Sequence, residues 1–290
     1  MENTNLRFGL IFKLLGLLLC ILAILFNNFD LDFLKGLDSE IKFSAVSIFV
    51  LILADITLFI KENSRFSYII FQSLNPFKLT KKLRISMAYL IQIKVDDEYL
   101  LVYSQRRNSY QPVGGVYKYD PRTLGGFFES LKIFRDKDSE VDNGENDLRL
   151  YLYRRYNLSK FIRWFMTNQS RESDPWREFH EELVSTRILS PDVFFYIDYN
   201  RKWRIFEKIR FDKFRGIETF YYADIYEVYF TNTKQFNEIE KLKTIKSDKY
   251  IWVSSTDIEK GYKEINGIKH KIADNTWKII DTTGTFKNNA

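Results

Sequence analysis

Two stretches of the chain are apolar almost without interruption. Residues 8–26 read FGLIFKLLGLLLCILAILF and residues 43–60 read FSAVSIFVLILADITLFI. Each approaches the roughly 20 apolar residues that a bilayer-spanning helix needs. No small-x-small cleavage site separates the first from the acidic NNFDLDF that follows, so the first reads as a span rather than a removable leader. Two buried core helices would be the other reading, but neither segment shows the polar face of a packed helix. From Met87 the pattern changes. MAYLIQIKVDDEYLLVYSQRR reads as two β-rich runs around Asp96, Asp97 and Glu98, a hairpin signal. YQPVGGVYK marks a tight loop. DVFFYIDYN, KWRIFEKIRF and ETFYYADIYEVYF read as further strands, and KYIWVSSTDIEKGY as a strand, a turn and a helix start. Between them, PWREFHEELVS carries Trp176, Phe179 and Leu183 at helical spacing, behind an Asp174 cap and with Pro175 at the first helical position. Strands interleaved with few helices predict an α+β domain or an α/β/α sandwich.

Charge orients the apolar pair. The connection between them carries Asp30, Asp32, Asp38 and Glu40 against Lys35 and Lys42, whereas Lys61, Arg65, Lys78, Lys81, Lys82 and Arg84 follow the second segment. The basic side faces the cytoplasm, which predicts a multi-pass protein of a cell membrane with a cytoplasmic C-terminal domain. Lys13 and Asp55 lie at matching depths of about 7 Å from that side. They either pair or reach out to the headgroups. Residues 64–84 mix Phe66, Ile69, Ile70, Leu74 and Phe77 with basic residues. They read as an interfacial linker or as an amphipathic helix packed on the domain, broken by Pro76.

Composition narrows the chemistry. One cysteine, Cys20, excludes an internal disulfide, and two histidines exclude a histidine-rich metal centre. A net charge of +6 suits anionic ligands or an anionic membrane surface. Glu178 and Glu182 stand four apart on one side of the predicted helix, with Glu181 three from Glu178 and Arg177 in reach of Glu181. Such a crowd is either a solvated acidic face or a site for a hard cation, Mg²⁺ or Mn²⁺. His180 projects elsewhere.

REFHEEL resembles the Arg-Glu-hydrophobic-x-Glu-Glu core of the Nudix box. LIQIKVDDEYLLVYSQRRNSYQPVGG and KYIWVSSTDIEKG resemble the strands and turns around it. The resemblance implies a Nudix-like α/β/α sandwich over residues 86–290, behind a two-helix region (1–62) and a linker (63–85). It implies divalent metal at Glu178, Glu181 and Glu182, one of which would serve as base, and water attack on a phosphoanhydride. The box departs from the signature. Residues 117–172 split it, Val184 stands where a glycine belongs, and its first glutamate falls on Gln169, Pro121 or Asp120 depending on where counting starts.

Two apolar segments ahead of a split box are similar to the SMODS-associated Nudix effectors of CBASS, the bacterial cyclic-oligonucleotide antiphage systems. NDLRLYL and FIRWF carry that narrower likeness. It implies a cyclic nucleotide second messenger, a functional link to the synthase that makes it, homo-oligomeric clustering, and an effector that breaches the inner membrane lipid bilayer. Candidate ligand-binding residues are then Arg163, Lys160, Arg177, Gly114 and Gly115. Arg149, Arg154 and Arg155 suit phosphates, and Trp164, Tyr151, Tyr153 and Tyr156 suit bases, unless they are core or solvated. A membrane-anchored hydrolase is the competing reading and a ligand-free membrane protein the third.

Overall fold

The computed structural model describes residues 51, 66–136 and 146–280. The chain divides into two compact units, Met1–Ser67 and Tyr68–Ala290, and the glutamate helix lies in the second. The apolar segments, Leu51 apart, lie outside the described residues together with Lys13 and Asp55. So does most of the polar run after Arg135. Among the described residues no helix is long and apolar enough to cross a membrane.

Helix α1 (Ser67–Ser73) buries Ile69 and Ile70 and ends before Pro76. Asn75 caps a 3-10 turn that Pro76 opens. The Gln72 carboxamide accepts the Ile209 N–H at 2.9 Å, and Lys208 lies over the Tyr68 ring, so the helix packs on its own domain.

Strand β1 (Leu83–Gln92) is buried along nearly its whole length, as a strand covered on both faces must be. It runs parallel to β10 (Ile217–Tyr229), from Arg84↔Thr219 to Gln92↔Glu227. Its other edge is shared. β5 (Val113–Val116) pairs antiparallel along 88–91, and β7 (Arg149–Leu152) along 83–86. The insertion therefore continues the sheet beyond β5, adding β7 and then β6 (Ile133–Arg135) at its edge. β8 (Asp198–Phe206) and β9 (Arg210–Asp212) complete this sheet on β10. A second sheet joins β2 (Lys94–Val95), β3 (Glu98–Ser104), β4 (Ser109–Gln111) and β11 (Tyr250–Ser254). The expected hairpin turns at Asp96, whose φ of 52° is left-handed.

Leu90, Ala223 and Ile225 of the first sheet pack on Leu101, Ile251 and Val253 of the second, and on Ile258 of α6 (Ser255–Lys260). Ser254 and Asp257 close a capping box at the start of α6. The opposite face of the first sheet carries Tyr117 and Tyr222. Both meet Phe165 of α3 (Leu158–Met166), at ring centroid separations of 5.3 and 5.0 Å. The result is a mixed α/β, sheet-rich domain, with helix on one face and a second sheet plus α6 on the other. It also includes α2 (Pro121–Leu131), α5 (Thr233–Thr244), and a β12–β13 hairpin (Tyr262–Ile265, Ile268–Lys271).

Two strand expectations change. DVFFYIDYN is strand only from Asp198, because Phe194 and Ile197 leave the sheet to become buried. Phe194 packs 6.0 Å from Phe179 of the glutamate helix. KWRIFEKIRF is broken after Phe206 into β8 and β9.

Candidate functional site: the glutamate helix and its flanking loop

The insertion is closed at its base. The Tyr119 N–H donates to the Asn146 carbonyl (2.9 Å), the Asp120 N–H to Ser170 (2.9 Å) and the Glu172 N–H to Lys118 (2.8 Å). Its two ends therefore lie side by side, and the halves of the split box meet in space. Asp174 accepts the Trp176 N–H at 3.0 Å, and helix α4 begins there (Trp176–Phe179). Phe179 and Leu183 are fully buried, whereas Trp176 is half-buried and stacks on Phe179.

After Phe179 the helix widens into a π turn, His180–Val184, with the Ser185 N–H bonded to the His180 carbonyl at 2.8 Å. Such turns are rare and recur at functional sites. Across the turn, Glu178 and Glu182 lie on one side, as their spacing predicts, against the same glycine loop. Glu182 Oε2 accepts the Gly114 N–H at 3.0 Å, while Glu178 lies against Gly115. A Cβ on Gly115 would stand 1.8 Å from Glu178 Oε1, and one on Gly114 2.3 Å from the Tyr89 carbonyl. Both glycines are there for close approach. Gly114 also holds a φ of 149°.

Arg177 sits among three carboxylates. Its guanidinium donates to Glu172 at 2.9 and 3.1 Å, to Glu178 at 2.5 Å, to Glu181 at 3.3 Å and to the Val116 carbonyl at 3.1 Å. Burial works against that charge, but the bonds to Glu172 and the charge of Glu178 outweigh it and raise the Arg177 pKa. The forked pair with Glu172 fixes its orientation. The Tyr89 hydroxyl also donates to Glu172, at 3.2 Å. Counting from either end of the insertion selects Gln169, Pro121 or Asp120. Asp120 instead caps α2, Pro121 opens it, and Gln169 is exposed. Glu172 was missed because its place depends on how the insertion closes.

The carboxylates differ. The Glu181 side chain is 54% exposed and the Glu178 side chain 13%. Burial raises the Glu178 pKa, and Arg177 opposes the rise. Burial, then the charge of Glu178, push Glu182 up to about 8, against the pull of the Gly114 N–H. His180 is exposed, as expected, and lies 3.2 Å from the Ser185 hydroxyl.

Among the described residues no three His, Cys, Asp or Glu side chains form a closed metal-binding group. Mg²⁺ rarely needs one, because one or two carboxylates plus substrate phosphates complete its shell. Glu178 and Glu181 make the charge of Glu182 costly, and Glu181 and Glu172 that of Glu178, which a hard cation would relieve. The donor set therefore fits a divalent cation in kind. Glu178, Glu181 and Glu182 are the residues that would hold it, and there it would polarise a phosphate oxygen.

Arg177, Gly114 and Gly115 are brought together with the glutamates. Lys160 and Arg163 lie on α3, half-buried and exposed. Arg155 is 2% exposed, paired with Glu218 at 2.6 Å and bonded to the Lys81 carbonyl at 2.8 Å. Arg149 pairs with Asp147 at 3.3 Å, and Arg154 is exposed. Trp164 packs among Phe127, Phe128 and Phe161, and Tyr151 lies under the Lys82 ammonium. Tyr153 is exposed, with its ring edge-on to Phe134, and Tyr156 is half-buried.

No curated protein and no solved structure matches the chain. The family model of the SMODS-associated NUDIX domain does, over residues 82–280, from the start of β1 to the last 3-10 turn (Asp274–Ile279). The chain belongs to the SMODS-associated NUDIX domain family.

Proposed function

We propose that the domain is the receptor of a membrane effector in a cyclic-nucleotide antiphage (CBASS) system. A nucleotide made by a partner synthase binds at the glutamate helix and its flanking glycine loop. The domains then cluster as a homo-oligomer, and the apolar segments 8–26 and 43–60 disrupt the inner membrane. The observation that carries this reading is Arg177. Its guanidinium fills the space between Glu172, Glu178 and Glu181, so part of the carboxylate charge is already neutralised by a fixed cation. That arrangement can hold a ligand without needing every glutamate for metal. Family membership supports the link to a nucleotide synthase.

Glu182 favours a second reading. A half-buried carboxylate raised to about 8 is poised for general base work near neutral pH. A membrane-anchored Nudix hydrolase cleaving a nucleotide phosphoanhydride would use it so, with Mg²⁺ or Mn²⁺ at the same helix.

The two separate in vesicles. The full chain is reconstituted in dye-loaded phosphatidylethanolamine–phosphatidylglycerol vesicles with Mg²⁺ and challenged with cyclic di- and trinucleotides. The receptor reading expects dye release with the nucleotide recovered intact. Nucleotide cleavage without release would establish the hydrolase instead.

A further inference from the structure

Around α1 the domain holds phenylalanine rings out into water on two fixed turns. Phe77 is 87% exposed and Phe214 88%. The Asn75 carboxamide accepts the Phe77 N–H at 3.0 Å and fixes the 3-10 turn that carries it. Phe214 stands in the turn between β9 and β10. There Asp212 Oδ1 accepts the N–H groups of Phe214 and Arg215 at 2.9 and 3.1 Å, and the Gly216 N–H bonds to the Asp212 carbonyl at 2.8 Å.

Contacts join the two turns into one surface. Gln72 of α1 accepts the Ile209 N–H just ahead of β9, and Lys208 Nζ lies 5.5 Å from the centre of the Tyr68 ring. Lys78, next to Phe77, reaches Glu218 of β10 at 2.6 Å. Glu218 stands opposite Phe211 of β9 in the ladder, so Phe211, 60% exposed, shares a sheet face with the Lys78 ammonium. The Arg215 guanidinium lies 5.3 Å from the Phe214 ring.

The charge of this surface is one-sided. Glu218 is taken by Lys78 and Arg155, and Asp212 by the Tyr221 hydroxyl and its own turn. Among the described residues, Lys208, Lys213 and Arg215 form no ion pair. Exposed rings among unmatched cations suit an anionic headgroup layer, where rings reach the acyl boundary and cations stay with phosphates. The centre of a protein–protein interface would instead be poor in lysine. Chain length puts the layer within reach. In the proposed function, segment 43–60 ends at the inner leaflet, and residues 61–67 tether Tyr68 to within about 28 Å of it.

We infer that Phe77, Phe211 and Phe214, with Lys208, Lys213 and Arg215, form a docking face for the anionic inner leaflet. The inference rests on the membrane-effector reading for its setting. Docking confines the domain to two dimensions, which raises the effective concentration at which copies meet.

The test uses the full chain in phosphatidylethanolamine–phosphatidylglycerol vesicles. Cys20 is the chain's one cysteine, so a nitroxide attached to it reports the first apolar segment. Phe77→Cys and Phe214→Cys, each with Cys20→Ser, place the label on the face. Rings so exposed carry little of the fold, and their loss should not unfold it. Ile268→Cys with Cys20→Ser places the label on the exposed β12–β13 hairpin, which meets the second sheet through His270 and Tyr110. Depth is read from relaxation of the label by oxygen and by a water-soluble nickel chelate. Labels at positions 77 and 214 should be shielded from the chelate where that at 268 is not, and should open when phosphatidylcholine replaces phosphatidylglycerol. Lys208→Ala and Lys213→Ala should each lower the ratio of docked to free label by about fivefold. Labels at 77 and 214 as open as that at 268, with the Cys20 label embedded, would overturn the docking face and leave the membrane reading standing. Shielding that persists in phosphatidylcholine and grows with protein per vesicle would overturn it in favour of a second copy of the chain. A Cys20 label open to the chelate would refute the membrane reading alone, since the labels at 77 and 214 still decide the face.

Discussion

Gly115→Ala isolates the close approach of the glutamate helix to the glycine loop. The new Cβ would stand 1.8 Å from Glu178 Oε1 and 2.2 Å from its carboxyl carbon, while the backbone at Gly115 is in ordinary territory. The Glu178 carboxylate must therefore swing away. It then gives up its 2.5 Å bond to Arg177. A charge-assisted bond of this kind contributes about 1.5–3 kcal/mol, and that is the expected loss on urea unfolding of the residue 66–290 domain. The cost should be conditional. In a Glu178→Ala background the clash has no partner, so adding Gly115→Ala should cost under about 0.5 kcal/mol, and the cycle should show a coupling of about 1.5 kcal/mol or more. Equal costs in both backgrounds would refute the placement of Glu178. Gly114→Ala should behave differently. Its Cβ meets the Tyr89 backbone carbonyl at 2.3 Å and its φ is 149°, so no side-chain deletion at Glu178 should rescue it.

Glu182 gives a pH prediction. Its folded pKa of about 8 lies above the ordinary 4.5, so between those values the fold keeps a proton that the unfolded chain has released. Stability from this group is present below the unfolded pKa and falls as pH rises toward 8. In EDTA, Glu182→Gln should therefore gain on the wild type from pH 5 upward, by about 3 kcal/mol at pH 7. Denaturation curves of the two proteins that stay parallel from pH 5 to 8 would contradict this. Mg²⁺ should narrow the gap at pH 8, since it stabilises the charged carboxylate of the wild type only. Arg155→Ala removes the 2.6 Å pair with Glu218, which keeps its bond to Lys78, and the bonds to the Lys81 and Lys82 carbonyls; it should cost about 1–3 kcal/mol, read as a lower urea midpoint. An unchanged midpoint would mean that Arg155 serves ligand rather than fold.

Much of the scaffold was legible in the sequence. Ile, Val and Tyr runs mark β1, β3, β10 and β11, and the spacing of Phe179 and Leu183 marks the buried side of the glutamate helix. The Asp96 turn was readable too. What failed to show is what tertiary closure decides. Glu172 finds Arg177 only because Lys118 and Ser170 bring the insertion's ends together. Phe194 reads as strand by composition, and becomes a plug against Phe179 once α4 is in place. The π turn has no compositional signal, and neither does the bond from the Gly114 N–H to Glu182 within it. Basic residues of the insertion looked alike in sequence, yet Arg155 is wholly committed to Glu218 and the Lys81 carbonyl.

The central claim is that the glutamate helix holds a nucleotide rather than consuming it. The most direct test follows binding and breakdown together, by calorimetry and anion-exchange chromatography of one sample, with Mg²⁺ and cyclic di- and trinucleotides, NAD and ADP-ribose. The account predicts saturable binding of one cyclic nucleotide, recovered unaltered. Metal-dependent cleavage that disappears in Glu182→Gln would contradict it and make the protein a hydrolase.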